Sequence, residues 1–298
     1  MNYKFKYKYK EINSNNKMSN SVLQITNAHS RDNLIKFYKM GHKYEIISDP
    51  KSKYTSVTTW NHSHFPKFDA DAIIKNIFKS KSWGPDHKYW GMTAKQIKDS
   101  WKSNGEAVAG AGTSLHERIE NFMNDNRFQF KYTQKELYEM YKNNYQDKID
   151  EQIEWEYFLN FVKENNELKP YRTEWMIFDE DLKLAGSIDM VYENPDGTLS
   201  IYDWKRSKDI SKINNWDKFA INPLICHMPD SNFWHYALQL NTYKSILERK
   251  YNKIVTKLCL VRLHPNNEEK TYELLDVPIL TTEIVELFKE REKQVKRT

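Results

Sequence analysis

The sequence predicts an α/β fold, a mixed sheet with helices packed against it and a mainly helical front end. Three observations carry this. Residues 171–178, 184–192 and 198–205 are successive runs rich in β-branched and aromatic residues, the last two joined by the turn tetrapeptide Asn194-Pro195-Asp196-Gly197. A strong helical pattern at 233–251 separates them from two further strand patterns at 255–263 and 271–277. Between residues 69 and 165 the apolar residues recur instead at helical spacing.

Taken in order, residues 1–30 read as a polar, disordered tail. From Tyr3 to Lys10 aromatic and basic residues alternate strictly. As a strand this would set rings on one side and ammonium groups on the other, an arm suited to single-stranded nucleic acid. The plainer reading, favoured by its terminal position, is a disordered segment of a Lys-, Asn- and Tyr-rich chain. Met18 offers an alternative start, and the absence of arginine from the first ten residues speaks against a mitochondrial presequence. Residues 43–47 and 54–60 read as a hairpin around Ser48-Asp49-Pro50-Lys51. Residues 69–79 make a short helix, ended by Trp83-Gly84-Pro85. A second helix at 93–103 is N-capped by Thr93. A third at 106–124 contains Gly110, Ala111 and Gly112, which would let it approach another backbone closely. Residues 135–142 and 150–165 are amphipathic helices, the latter with Ile153, Tyr157 and Phe161 on one face. A loop rich in Asn, Pro and Lys spans 207–230, and a charged helix at 281–295 closes the chain. The expected division is a tail at 1–30, a substrate-guiding hairpin and helices at 31–104, and a core at 105–298.

Composition narrows the function classes. With 39% hydrophobic and 29% charged residues, the chain can form a packed core under a very polar surface. A net charge of +5 permits a local basic groove but does not establish nucleic-acid binding. The two cysteines, Cys226 and Cys259, exclude an all-cysteine zinc or iron–sulfur site and suggest a reducing compartment. There is no apolar run of the roughly 20 residues a membrane span needs and no secretory signal, so an intracellular, soluble protein is expected. Neither a P-loop nor a G-x-G-x-x-G turn is present, which points away from nucleotide motors and dinucleotide enzymes.

The hairpin at 184–205 carries the most chemistry. Folding about residues 195 and 196 sets Asp189 opposite position 202 or 203, so Asp189 and Asp203 are cross-strand neighbours within one residue of register. Opposed residues have Cβ atoms roughly 4.5–5.5 Å apart, a span a cation can bridge. Asp203 and Lys205 share a strand face with Ile201. An exposed hairpin with Asp and Lys on its wet side would read similarly. However, both aspartates sit among apolar residues, where a carboxylate needs a partner or a metal.

Three further segments extend the pattern. His116 and Glu120 in Gly112-Thr113-Ser114-Leu115-His116-Glu117-Arg118-Ile119-Glu120 share a helix face at i and i+4; a structural histidine is the alternative. H-E-x-x-E lacks the second histidine of a zinc protease. Glu174 lies in the strand before the hairpin and can reach the same pocket or pair with Arg172 or a lysine. Gln239 and Tyr243 share a face of the late helix, either at the site or as hydrogen-bonded core residues.

In sequence order these segments are G-T-x-x-H-x-x-I-E, a later Glu, G-S-I-D, D-W-K and Q-L-x-x-Y. The set, over about residues 105–263, resembles the RecB-type branch of the PD-(D/E)xK nucleases, and within it the mitochondrial genome maintenance exonucleases and their viral relatives. The chain has too few cysteines for the relatives that carry an iron–sulfur cluster. The resemblance implies a restriction-endonuclease-like core. It implies a metal-dependent DNA nuclease, an exonuclease on single-stranded DNA or DNA ends serving replication, repair or recombination. An RNA or structure-specific endonuclease of the same fold, or a non-catalytic nucleic-acid-binding module, are the rivals. By the same resemblance His116, Asp189, Asp203 and the backbone carbonyl of Trp204 would bind one or two Mg2+ or Mn2+ ions. Lys205 would be the catalytic lysine, and Glu174 would support the ions. Gln239, Tyr243, Arg206 and Ser207 would meet the substrate strand. Carboxylates, a carbonyl and water suit magnesium, and the imidazole extends tolerance to manganese. Lysine beside a cation can have a lowered pKa, which would allow it to act as a base. A host-cell, virion or mitochondrial setting would fit; no protein partner is readable.

Overall fold

The computed structural model describes residues 21–125, 131–145 and 152–297. In chain order its elements are α1 (Val22–Thr26), β1 (Ile35–Tyr38), β2 (Lys43–Ile46), β3 (Thr55–Ser56), α2 (Val57–His62), α3 (Ala70–Lys79), α4 (Ala94–Met123), α5 (Gln134–Tyr145) and α6 (Ile153–Glu164). There follow β4 (Lys169–Asp179), β5 (Leu184–Glu193), β6 (Leu199–Lys205), α7 (Asn232–Lys250), β7 (Val255–Arg262), β8 (Glu273–Asp276) and α8 (Thr281–Val295). Among the described residues no helix is long and apolar enough to cross a membrane.

The central sheet is mixed. β4, β5 and β6 form an antiparallel meander, and β6 pairs parallel with β7 through the crossover helix α7. β8 closes one edge antiparallel to β7. β4 occupies one edge of β5 along its whole length. On the other edge β3 pairs at Leu184 and Ala185, and β6 pairs from Met190 onward. Among the described residues the edge between those two stretches has no strand partner, so β5 and β6 fork there.

Strand alternation sorts the side chains into two layers. Leu199 and Ile201 of β6 and Leu258 and Leu260 of β7 join the cluster with α2, α7 and α8. Tyr202, Trp204, Cys259 and Val261 join the opposite cluster with α4, α5 and α6. Asp203 and Lys205 therefore continue the α7 face of β6.

Local signals set the helix starts. The Asp69 carboxylate accepts the Ala72 N–H. Thr93 and Gln96 form a reciprocal capping box.

The structure departs from the expected elements in four places. Residues 43–46 pair with Ile35–Tyr38, not with 54–60, through a turn in which Gly41 (φ +82°) and His42 (φ +47°) take the left-handed region. Residues 57–62 are helical because the Ser56 hydroxyl caps Thr59 and because burial of Val57 and Trp60 outweighs the strand preference of Val57, Thr58 and Thr59. The expected helices at 93–103 and 106–124 are one 30-residue helix, α4. A helical glycine costs only about 1 kcal/mol relative to Ala, which a capped helix absorbs at Gly105. The boundary drawn at 104/105 thus falls inside a helix. Gly110 and Gly112 abut no other backbone, since a Cβ at either would meet nothing within 4 Å.

The fourth departure is in the tail. Positions 1–20, with the aromatic–lysine alternation and Met18, lie outside the described residues. Residues 21–30 do not form a free tail. Leu23 is buried, Asn27 Nδ2 donates to the Tyr171 carbonyl at 2.8 Å, and Asn124 Oδ1 accepts from the Leu23 N–H at 3.1 Å.

Behind this lies a buried ion pair. Arg172 Nη1 is 2.8 Å from Asp32 Oδ2, and Trp175 Nε1 donates to Asp32 Oδ1 at 3.0 Å. Both charged side chains are under a tenth exposed. Asp32→Ala leaves the Arg172 guanidinium buried without its carboxylate, a loss of roughly 3–5 kcal/mol. Urea denaturation should show this, with the Asp32→Leu/Arg172→Met double variant recovering most of it.

Candidate metal centre

Three strands bring three acids into one row. The pairs Thr173↔Met190 and Trp175↔Ile188 bracket Glu174 and Asp189, placing them side by side on β4 and β5. The Met190↔Tyr202 pair, carried one residue further, sets Asp189 opposite Asp203 on β6. Glu174 takes φ +43° within its strand. A non-glycine residue held there costs of order 1–3 kcal/mol, and such positions cluster at functional sites. Ser187 Oγ donates to Glu174 Oε2 at 3.0 Å and holds the carboxylate in place.

At the fork, Asp189 Oδ2 accepts the Trp204 N–H at 3.1 Å. His116 enters from α4, one turn before Glu120. Its Nε2 lies 3.0 Å from the Trp204 carbonyl oxygen, and its Nδ1 lies 3.6 Å from Asp189 Oδ2 and 3.7 Å from Glu174 Oε1. Ligand atoms of His116, Glu174 and Asp189 all fall within 4.8 Å of one another.

Asp203 stands beside this group. Its side chain is 3% exposed, and its buried Oδ2 is in ion contact with Lys205 Nζ at 2.5 Å. Carboxylates gathered in a buried place are costly unless cations accompany them. The acid row and the oxygen-and-imidazole donor set fit a bound cation.

Electrostatics follow from burial and crowding. Burial pushes the Asp203 carboxyl up to about 7; Lys205 offsets only part of this and Asp189 adds to it. For His116, burial works towards the neutral form, but the Asp189 charge and the Glu174 carboxylate outweigh it and raise the imidazole to about 9. Burial likewise opposes the charge on Lys205, yet Asp203 and Asp189 win and raise it. Without a cation beside it, Lys205 is held as an ammonium, opposite to the lowered value that would favour a base. Burial, then the charge of Glu174, raises Glu120.

α7 lines the same place. Gln239 Nε2 donates to Tyr243 Oη at 3.2 Å. Tyr243 lies against Gly186 of β5, and a Cβ at position 186 would sit 2.7 Å from its Cε1. Arg206 and Ser207, just past β6, turn to protein partners. Arg206 Nε donates to Glu154 Oε1 at 2.7 Å and Ser207 Oγ donates to the Asp209 carbonyl at 2.7 Å.

Two neighbours were not singled out from sequence. The Tyr236 ring lies 4.6 Å from Lys205 Nζ, and its i, i+3, i+7 spacing to Gln239 and Tyr243 was the available signal. Tyr44, on β2, is buried, which together with the Glu174 charge pushes its hydroxyl up to about 12; no local pattern marks a residue so far away in sequence.

The contact at Gly186 gives a measurable consequence. Gly186→Ala drives a methyl into the Tyr243 ring and should cost about 1–3 kcal/mol of unfolding free energy. In a Tyr243→Leu background, where the ring is gone, the same substitution should cost much less; additive losses in a denaturation cycle would refute the contact.

The PD-(D/E)XK nuclease superfamily model matches residues 94–297, beginning at the first residue of α4. No curated protein matches. A crystal structure named "Putative exonuclease", from Eubacterium rectale, is similar at 11% identity with a TM-score of 0.37, over 82% of this chain and 79% of that one. With the family model covering more than half of its length, the chain belongs to the PD-(D/E)XK nuclease superfamily.

Proposed function

We propose that this nuclease is a divalent-metal-dependent DNA exonuclease acting on single strands or DNA ends, of use in replication, repair or recombination. The observation that carries the reading is the row of Asp203, Asp189 and Glu174, with Lys205 against Asp203 and His116 beside Asp189 and Glu174. Nucleases of this superfamily generally use divalent metal ions. Asp189, Asp203, His116 and the Trp204 carbonyl, with Glu174 beside them, would hold Mg2+ or Mn2+. Such an ion, or a pair of them, supplies Lewis-acid stabilisation of the phosphate oxygens and acidifies water.

The chain's own groups supply the rest. In hydrolysis the water gives up a proton as its oxygen bonds to phosphorus, one bridging P–O bond breaks, and the departing oxygen gains a proton. Lys205, held as an ammonium, donates a hydrogen bond to the attacking water or to the phosphate oxygen on which charge accumulates. Glu174, fixed by Ser187, keeps the His116 imidazole in place. Gln239 and Tyr243 present polar groups beside the acid row, where the substrate strand would pass.

The front end supports a single strand. Phe68 and Trp90 are 72% and 48% exposed, and they belong to ring contacts that include Trp83, Tyr89 and Trp101. Aromatic faces among lysines stack bases of any sequence. Trp101 lies on α4 ahead of His116, about 22 Å away at 1.5 Å per residue. A strand running along that helix would join the two places.

Four outcomes check this. Lys205→Ala and Asp203→Asn should lower cleavage of end-labelled single-stranded DNA on the order of 10²-fold or more, and chelation should abolish it; retained cleavage places the chemistry elsewhere. Linear strands should be degraded and circular ones left whole, while cleaved circles or preferred digestion of RNA would replace the DNA exonuclease reading with an endonuclease or ribonuclease. Mg2+ or Mn2+ should raise the melting temperature of the wild type by ligand linkage but not that of Asp189→Asn. Trp90→Ala should raise KM for long single strands roughly tenfold, the scale of one stacked base, with kcat kept.

A further inference from the structure

We infer that Tyr236 is a positioning residue for Lys205, its ring holding the ammonium at the site when Asp203 turns to a cation. The inference rests on the nuclease reading above and deepens it.

Lys205 has two neighbours of opposite character. On one side is the Asp203 carboxylate, at 2.5 Å. On the other is the Tyr236 ring, with Nζ 4.6 Å from its centroid. The two are not equivalent once a divalent ion is bound. Asp203 would be a ligand to that ion, and its charge would no longer be free for the lysine. A four-carbon stem with many rotamers would then be released at the moment its head group is needed. A ring face attracts the ammonium through its quadrupole and, having no carboxylate, does not compete as an anionic ligand for the metal.

The ring is itself held in place. Tyr236 packs against the apolar cluster between the sheet and α7. It lies one turn before Gln239 on α7, so the helix that packs Tyr243 onto Gly186 also sets the ring over Lys205.

The test compares full-length wild type with Tyr236→Phe, Tyr236→Leu and Tyr236→Met on end-labelled single-stranded DNA with Mg2+. Metal affinity is measured by calorimetry and folding by thermal melts. Losing the ring should lower kcat about tenfold, the scale of a partly buried cation–π contact, with KM and metal affinity unchanged. Tyr236→Phe, which keeps the ring, should stay within about twofold of wild type. Tyr236→Met replaces Tyr236→Leu if the latter melts early. An unchanged kcat in both ring-less variants overturns the inference. So does a loss confined to KM, which would put the ring on the substrate, or a Phe variant as slow as Leu, which would put the effect on the hydroxyl. Lys205→Ala serves as the separate control. If it cleaves like wild type, the nuclease site itself is misassigned; if it is inactive while the ring-less variants are unaffected, only the role of Tyr236 falls.

Discussion

The burial of one carboxylate, Asp203, organises the rest of the structure. It sits in the middle of the sheet with Asp189 across from it, and its charge is disfavoured by both. An isolated buried anion is not tolerated; it must be neutralised, paired or given a cation. The protein surrounds it with Lys205 on its own strand and with the group of His116, Asp189 and Glu174 alongside. Burial raises Asp203 and the neighbouring carboxylates raise His116. Negative charge gathered in a low-dielectric place favours a proton on His116 and on Asp203, and it favours a nearby cation in the same way.

The fork between β5 and β6 makes room for this group. Along a continuous ladder Asp189 and Asp203 would be flanked by paired backbone, with no approach from the edge. Instead β6 leaves β5 after Met190, and β3 takes the same edge only from Ala185 back. The opened backbone is used locally: the Trp204 N–H goes to Asp189 and the Trp204 carbonyl to His116. Gly186 lies in the gap, and its missing side chain is the space that Tyr243 fills. One helix, α7, thus reads the fork from its apolar side and carries Tyr236, Gln239 and Tyr243 to it.

The N-terminal segment is woven into this core. Asp32 is shared by Arg172 and Trp175 on either side of Glu174, next to the residue with φ +43°. Arg31 bonds Glu180 and the Phe178 carbonyl and stacks on the Phe178 ring. β4 is therefore pinned on both sides of its irregular residue by a stretch of chain that, by sequence, belongs to a different region. The same stretch delivers Tyr44 towards Glu174. The front end and the nuclease core share α4 as well, one half of which carries His116 while the other half holds the exposed aromatic group.

Much of this was legible in the chain itself. The Asn194–Gly197 turn determines the hairpin register, and with strand period two that register sets Asp189 beside Asp203 and puts Lys205 on the Asp203 face. Helical spacing determines that Gln239 and Tyr243 project together. These are local relations, controlled by the geometry of neighbouring residues, and a sequence states them directly. What only the tertiary structure decided are the relations between distant segments. It decided that Glu174 completes the His116–Asp189 group, that Arg206 turns to Glu154, that β1 and not 54–60 is the partner of β2, and that Tyr236 lies under the Lys205 ammonium. Each depends on how helices and strands pack around a buried charge, and packing is set by the whole folded chain at once, with no single stretch of residues recording it.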